Sequence, residues 1–226
     1  MKKLVLRIRW GGLGDHLYYS PIPRVAKQTH GYDKVFISNY SDLTNKNVKR
    51  LVWEYNPFVD GFVDEDAPWP SFATVEEGKN LLDAIVDFVG LPDDGVRFRE
   101  PEIYYKPNKI EYLQDSILYD PNYKCQQISH VTSQQAYRYF QENNIMPNYQ
   151  IKKFASFASS ISGVPEIKDD SIEQYCDMIF SCKLFIGISG SVVLASALNK
   201  RSVALYSGYI KPMFFHSKTH QYVKLG

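Results

Sequence analysis

The sequence has few cysteines, no long hydrophobic run and almost no net charge. Its three cysteines, Cys125, Cys176 and Cys182, lack the paired spacing of a zinc or redox motif, so we expect buried reduced thiols. No apolar run approaches the roughly 18 residues that would span a bilayer. The 26 basic residues balance 25 acidic ones, which leaves no net field to attract nucleic acid.

The amino terminus also lacks the apolar segment and the small-residue cleavage site of a secretory signal. Met1-Lys2-Lys3 leads directly into a strand-like stretch. We therefore expect a cytoplasmic globular protein, with one or two domains for a length of 226 residues.

Strand and helix patterns alternate along the chain, which predicts an α/β protein with parallel sheets. The predicted strands are 4–10, 34–38, 61–63, 116–119, 154–157, 184–188 and 203–206. The predicted helices are 21–28, 48–55, 81–89, 133–143, 172–179 and 192–198. We expect Thr74 with Glu77, and Asp170 with Glu173, to form capping boxes. His216 and His220 are expected on a surface tail.

A segment rich in proline, glycine and charge, 92–108, separates two runs of this alternation. We set a domain boundary near Asn108, which gives an amino-terminal lobe of residues 1–108 and a carboxyl-terminal lobe of residues 109–226. Each lobe is predicted to be a small Rossmann-like unit. The two sheets are expected to face each other.

The first predicted strand ends in a glycine-rich loop, Gly11-Gly12-Leu13-Gly14-Asp15-His16. Glycine permits positive φ and close approach of the backbone to another molecule. Ligands of open α/β sheets bind outside the carboxyl ends of the strands, so Asp15 is the first candidate functional residue. We expect a carboxylate neighbour to shift the titration of His16 into the working pH range. The alternative is an ordinary tight turn in which Asp15 caps the next helix.

A second turn, Ser189-Gly190-Ser191, lies between an apolar strand and a helix. Its backbone N–H groups and the positive end of the helix favour an anion such as a diphosphate. Either serine is also suited to be a simple N-cap. The triplet Asp64-Glu65-Asp66 has the spacing of a metal-binding acid pair, but its proline-bearing surroundings favour a solvated turn, and we assign no metal.

Two segments resemble the heptosyltransferase family, glycosyltransferase family 9. The first is Gly11 to Leu17 followed by Ser20-Pro21-Ile22-Pro23-Arg24, and the second is Asp177 to Tyr206. Together they span about a fifth of the chain. The resemblance implies the B-type glycosyltransferase architecture in a small version, with the acceptor on the amino-terminal lobe and the sugar nucleotide on the carboxyl-terminal lobe.

Carried over by position, Asp15 matches the general base of the family, while Ser189 and Gly190 match the residues that hold the donor phosphates. Gly11, Gly12, Gly14 and His16 form the acceptor-side loop, and Ser191 and Lys124 are further candidates for donor binding. The chain departs from the family at Ile188 and Val193, where an acid and a histidine are usual. Both changes remove polar contacts to the donor.

The resemblance implies a metal-independent inverting glycosyltransferase without a cofactor. Its partners would be a nucleotide sugar and a glycan or lipid-linked glycan acceptor, a precursor of a bacterial capsule or lipopolysaccharide, and peripheral membrane association is compatible with that role. Two alternatives remain open. One is a non-catalytic protein of the same fold that binds a sugar nucleotide or a partner, and the other is an NAD-dependent oxidoreductase, whose glycine fingerprint is incomplete here.

Overall fold

The computed structural model describes residues 1–69, 78–124, 130–188, 190–208 and 212–226. The chain divides into two compact units. Unit 1 comprises Met1–Tyr105 with Pro212–Ser217, and unit 2 comprises Lys106–Lys211 with Lys218–Gly226. The chain thus divides after Tyr105, where the predicted boundary was near Asn108, and the short segment Pro212–Ser217 returns to unit 1.

Unit 1 is built on a parallel sheet that has three strands in the described part of the chain, in the order β1-β2-β3. The strands are Lys3–Leu6 (β1), Lys34–Ser38 (β2) and Gly61–Val63 (β3). The helices are Leu13–Tyr19 (α1), Ile22–His30 (α2), Lys46–Lys49 (α3), which continues as a π-helical turn over Arg50–Glu54, and Leu81–Phe88 (α4). The predicted strands 34–38 and 61–63 are confirmed.

The first helix of unit 1 was not predicted, and its end is determined by Ser20 and Pro21. The Ser20 hydroxyl donates to the Leu17 carbonyl at 2.7 Å and accepts from the Glu102 N–H at 2.7 Å. Pro21 has no N–H to continue the α1 ladder, and a new helix starts at Ile22. The glycine loop therefore leads into a short helix of its own.

Helix α4 begins with a capping box between Asn80 and Asp83, inside the described residues. The predicted box of Thr74 and Glu77 lies outside them. The buried Asp83 carboxylate also forms an ion pair with the Arg99 guanidinium at 2.9 Å. The Asn80 amide donates to the carbonyl of His216 at 3.1 Å, which ties the segment Pro212–Ser217 to unit 1.

Unit 2 contains a parallel sheet with six strands among the residues described, in the order β11-β10-β9-β4-β6-β8. These strands are Ile117–Asp120 (β4), Tyr149–Ile151 (β6), Glu166–Ile167 (β8), Leu184–Gly187 (β9), Ser202–Ser207 (β10) and His220–Leu225 (β11). Asn122–Tyr123 (β5) and Phe157–Ala158 (β7) form a small antiparallel pair. The helices are Ser133–Asn143 (α5), Ile172–Ser181 (α6) and Gly190–Ala197 (α7). Single 3₁₀ turns span Glu111–Leu113 and Pro212–Phe214, the latter in unit 1.

The core of unit 2 is a cluster of apolar side chains beneath this sheet, including Tyr119, Phe140, Ile186 and Val203. Helix 133–143 is confirmed, with Thr132 and Gln135 as its capping box. Helix α6 is capped by Ser171 rather than by the predicted Asp170, because the Ser171 hydroxyl accepts from the Gln174 N–H at 3.0 Å.

The carboxyl-terminal residues form a strand, so the expectation of a surface tail is wrong. β11 pairs in parallel with β10 over its whole length, from His220 opposite Ser202 to Leu225 opposite Ser207. His216 and His220 are both buried. Gln221 and Lys224 are separated by two residues, Tyr222 and Val223, so this partly buried strand lacks the period-two pattern that would have predicted it.

Candidate active site

The carboxylate of Asp15 is fixed at the start of α1, at the carboxyl edge of the unit 1 sheet. Asp15 is half-buried in the first turn of the helix, and its Oδ2 accepts a hydrogen bond from the Gly12 N–H at 3.0 Å. A Cβ on Gly12 would lie 2.9 Å from that oxygen, so a side chain there would displace the carboxylate. Asp15 therefore caps the helix, and this role is compatible with the other interpretation, an acid that binds a ligand.

Glycine is required at position 11 because the backbone of Asp42 and Leu43 passes close to it. A Cβ there would lie 2.7 Å from the Asp42 carbonyl carbon and 2.7 Å from the Leu43 nitrogen. The loop glycines do not use the positive φ that glycine permits, since Gly11, Gly12 and Gly14 are absent from the left-handed residues of the described chain. Trp10 carries that conformation instead, with φ of 63°, an unfavourable backbone for a bulky residue.

His16 is buried and anchored by both ring nitrogens. Its Nδ1 accepts from the Trp53 indole N–H at 2.8 Å, so the proton resides on Nε2, which donates to the Asp42 carbonyl at 2.9 Å. Burial lowers the pKa of His16 to about 4. The expectation that His16 titrates in the working range is therefore wrong, because desolvation outweighs the nearby carbonyl and carboxylate. The ring therefore ties α1, which carries Asp15, to the backbone of Asp42 and to the side chain of Trp53.

Tyr19 lies one helical turn after Asp15 and was not singled out from the sequence. Its ring is buried, and among the described residues its hydroxyl has no hydrogen-bond partner. Burial raises the pKa of Tyr19, and the charge of Asp15 adds to this effect. The spacing i, i+4 from the acid is the sequence signal that could have revealed it.

The second turn follows β9 at the carboxyl edge of the unit 2 sheet. Ser189 lies outside the described residues, Gly190 begins α7, and the buried Ser191 hydroxyl donates to the Ile188 carbonyl at 3.3 Å. A Cβ on Gly187 would lie 2.7 Å from the Ser191 Oγ, so the strand and the helix meet closely here. The turn thus presents the amino-terminal end of a helix, as predicted from the sequence.

A buried carboxylate, Asp120, lies beneath this turn. Its backbone pairs with Gly187 across the β4–β9 ladder, and its Oδ2 accepts from the Tyr175 hydroxyl at 2.5 Å. The Asn122 N–H and side-chain amide donate to Oδ1 at 2.9 and 2.8 Å. Burial raises the pKa of Asp120, although hydrogen bonds from Tyr175, Asn122 and Ser191 oppose the shift. An acid directly after the apolar strand Leu118–Tyr119 was the sequence signal for this group.

The two positions that depart from the family pattern are part of the hydrophobic core. Ile188 and Val193 are 0% and 2% exposed. An acid or a histidine at either position would require a polar partner in the core. The apolar residues therefore suit their surroundings. Lys124, the remaining donor-side candidate, is exposed after β5.

The acidic triplet of unit 1 is engaged by other side chains. Asp64 accepts from the Asn39 amide at 2.7 Å, Glu65 pairs with Lys3, and Asp66 pairs with Arg7 at 2.5 Å. The described residues contain no cluster of three or more His, Cys, Asp or Glu side chains placed to hold a metal ion. Within those same residues, every helix is too short or too polar to cross a bilayer.

Asp33 does not occupy the position of the acid that binds ribose in dinucleotide-binding folds. It precedes β2, and its carboxylate accepts from the Lys2 N–H at 2.5 Å. In those folds the acid follows the second strand at the carboxyl edge.

The sequence matches no protein-family model and no curated protein. Solved structures match over nearly the whole chain. A family 9 glycosyltransferase from Veillonella parvula superimposes with a TM-score of 0.61, 11% identity and coverage of 99% of this chain and 86% of that one. ADP-heptose LPS heptosyltransferase II from E. coli gives a TM-score of 0.59, 13% identity and coverage of 99% and 90%.

A third similar structure is TibC from enterotoxigenic E. coli, described as an iron-containing dodecameric glycosyltransferase, with a TM-score of 0.66 and 13% identity. The match covers 97% of this chain but only 62% of the length of TibC. TibC has also been solved as a heptosyltransferase in complex with ADP-D-β-D-heptose. The fold of this protein is therefore that of the heptosyltransferase-like family 9 glycosyltransferases, two α/β units with parallel sheets.

Proposed function

We propose that this protein is a metal-independent inverting glycosyltransferase that moves a sugar, such as a heptose, from a nucleotide sugar to a precursor of a bacterial surface glycan. The observation that carries the proposal is the fixed carboxylate of Asp15 at the carboxyl edge of a sheet in a glycosyltransferase fold. The complex of TibC with ADP-D-β-D-heptose supports a nucleotide-sugar donor.

In the proposed reaction Asp15 takes the proton from the acceptor hydroxyl. The acceptor oxygen forms a bond to the anomeric carbon as the bond from that carbon to the phosphate oxygen breaks, and the nucleoside diphosphate leaves with the electron pair. A carboxylate can accept about four hydrogen bonds, so the bond from Gly12 is compatible with one from a substrate hydroxyl. Positioned proton transfer contributes about 10²- to 10⁴-fold to the rate.

Charge on the leaving diphosphate would be stabilised from unit 2. The backbone amides of Gly190 and Ser191 belong to the start of α7, where an anion is favoured, and Ser189 directly before them is the third proposed contact to the diphosphate. Lys124 is the proposed cation. The hydrogen bonds to the buried Asp120 carboxylate hold the strand end that precedes this turn. The backbone N–H groups of the turn therefore need no reorganisation during the reaction.

A second candidate is a protein of this fold that binds a sugar nucleotide without transferring the sugar. The observation that favours it is the apolar burial of Ile188 and Val193, where the family usually has polar groups for the donor.

A panel of ADP-, UDP-, GDP- and CMP-sugars separates the two candidates. We expect release of the nucleoside diphosphate (CMP from a CMP-sugar) from one donor, faster when a glycan acceptor is added. Saturable binding of a donor without turnover, with or without acceptor, would favour the second candidate. A fluorescence titration with NADH tests the remaining alternative, and no saturable change is expected.

A further inference from the structure

The strand order of the unit 2 sheet defines where a ligand of this sheet is expected. From β4 the chain builds outward through β6 to β8, and it then crosses to β9 and builds through β10 to β11 on the other side. Every neighbouring pair is parallel. This is the order 3-2-1-4-5-6 of doubly wound sheets, which bind ligands outside the carboxyl ends of the strands where the order reverses. Here that point lies between β4 and β9, at the paired residues Asp120 and Gly187.

Phe154 carries an exposed aromatic ring beside this point. It follows the end of β6, the neighbour of β4, and it is 59% exposed. Its ring lies edge-on to the buried ring of Tyr175, with centroids 6.1 Å apart and an interplanar angle of 82°. The Tyr175 hydroxyl donates to the Asp120 carboxylate, so this ring pair lies at the carboxyl end of β4. More than half of Phe154 is accessible to a ligand.

Asn122 fixes the backbone of Phe154 against the end of β4. The Oδ1 atom of this buried side chain accepts from the N–H groups of Phe154 and Ala155 at 2.9 and 3.2 Å. Its Nδ2 donates to the Asp120 carboxylate at 2.8 Å and to the Lys152 carbonyl at 3.3 Å. A segment that is held before the ligand arrives loses less freedom on binding.

The position of Phe154 along the sheet edge suits the base of a nucleotide. Strands β9, β4 and β6 are consecutive neighbours, so the end of β6 lies about 10 Å from the end of β9. The start of α7, where we place the diphosphate, follows β9. A nucleoside diphosphate that begins there can extend across the end of β4 and place its base over the phenyl ring.

We propose that the base of the donor nucleotide stacks on the ring of Phe154. The inference rests on the nucleotide-sugar donor of the proposed function and adds the residue that binds its base. Every base has an aromatic face, so stacking on a phenyl ring adds affinity for the nucleotide. It also removes the exposed apolar surface of Phe154 from water.

Calorimetric titration with ADP, GDP, UDP, CMP and inorganic pyrophosphate tests the proposal. The wild type should bind at least one of the nucleotides. Phe154→Ala should weaken that binding by about five- to 150-fold, the range for stacking of one base on an aromatic side chain. Pyrophosphate has no base, so it should behave alike with both proteins.

Two further variants make the assignment specific. Phe88→Ala, at an exposed phenylalanine of unit 1, is the matched control and should bind the nucleotide as the wild type does. Phe154→Trp should keep the binding, and its added indole fluorescence should be quenched saturably by the nucleotide and not by pyrophosphate. The wild type titrated in the same way corrects for the native tryptophans.

Three results would overturn the proposal. They are the absence of nucleotide binding by the wild type, a wild-type Kd in Phe154→Ala, and equal weakening of nucleotide and pyrophosphate binding in that variant. The last result would show that the substitution disturbs the whole site rather than the contact with the base.

Kinetics separate this inference from the proposed function. In a transferase, Phe154→Ala should raise the donor KM and leave kcat unchanged, because the contact with the base is the same before and during the reaction. Nucleotide binding that requires Phe154, in a protein that transfers no sugar from any donor, would support the inference and reject the transferase. Sugar transfer by the wild type, with an unchanged donor KM in Phe154→Ala, would reject the inference alone.

Discussion

The Oδ2 atom of Asp15 accepts a hydrogen bond from the backbone N–H of Gly12, three residues before it, at 3.0 Å. The bond fixes the carboxylate and caps α1 in place of a side chain at Gly12. Asparagine can accept the same bond but cannot act as a base near neutral pH. We expect Asp15→Asn to keep the wild-type stability and Asp15→Ala to lose about 0.5–2 kcal/mol in urea unfolding. Equal loss in both variants would show that the cap does not depend on this bond.

The stability of the protein should fall as the medium becomes acidic. His16 and His216 have pKa values lowered by burial to about 4, against about 6.5 in an unfolded chain. The unfolded state therefore binds protons first, so stability is fully present above pH 6.5 and is lost as the pH falls toward 4. Each histidine contributes on the order of 3 kcal/mol to this loss.

Urea unfolding at a series of pH values measures that slope. His16→Gln keeps one donor for Asp42 and one acceptor for Trp53 but cannot titrate, so its slope should be about half that of the wild type. His130→Gln, at an exposed histidine, is the control. A wild-type slope in His16→Gln would contradict the assignment.

Gly11→Ala should destabilise the protein because its Cβ would overlap the backbone of Asp42 and Leu43. Overpacking of this kind costs about 1–3 kcal/mol. Gly31→Ala provides a comparison, since a Cβ there meets nothing and only the left-handed backbone, φ of 63°, opposes it. Thermal unfolding should rank the Gly11 variant below the Gly31 variant, and the reverse order would show that the loop relaxes easily.

Tyr19→Phe should leave stability unchanged or raise it by about 1 kcal/mol. Its buried hydroxyl has no partner among the described residues, so removing it relieves an unsatisfied group. Tyr175→Phe should have the opposite effect and cost about 1–3 kcal/mol, because it leaves the Asp120 carboxyl short of a donor. Tyr112→Phe, at an exposed ring, is the control in urea unfolding. A destabilised Tyr19→Phe would mean that the hydroxyl is bonded in solution.

The alternation of strands and helices could be predicted from the sequence because buried parallel strands are nearly continuous apolar runs, such as Phe185 and Ile186 in β9. The short strands β6 and β8 were missed, since two or three residues carry no periodic signal. Helix α1 was missed because its capping group is glycine and its first turn reads as a loop.

Within the candidate site, the sequence predicted where the two turns lie but not what supports them. Pairing of His16 with Trp53, and of Asp120 with Tyr175, joins residues 37 and 55 positions apart. Such contacts depend on the packing of whole helices against a sheet, which local patterns do not encode. The expectation that the two sheets face each other stays a prediction.

The rate of sugar transfer by Asp15→Asn, beside the wild type and with the same donor and acceptor, is the most direct test of the proposed function. The account predicts a fall in kcat of about 10²- to 10⁴-fold, with the donor Kd and the stability unchanged. Transfer by the variant at the wild-type rate would contradict the assignment of Asp15 as the base.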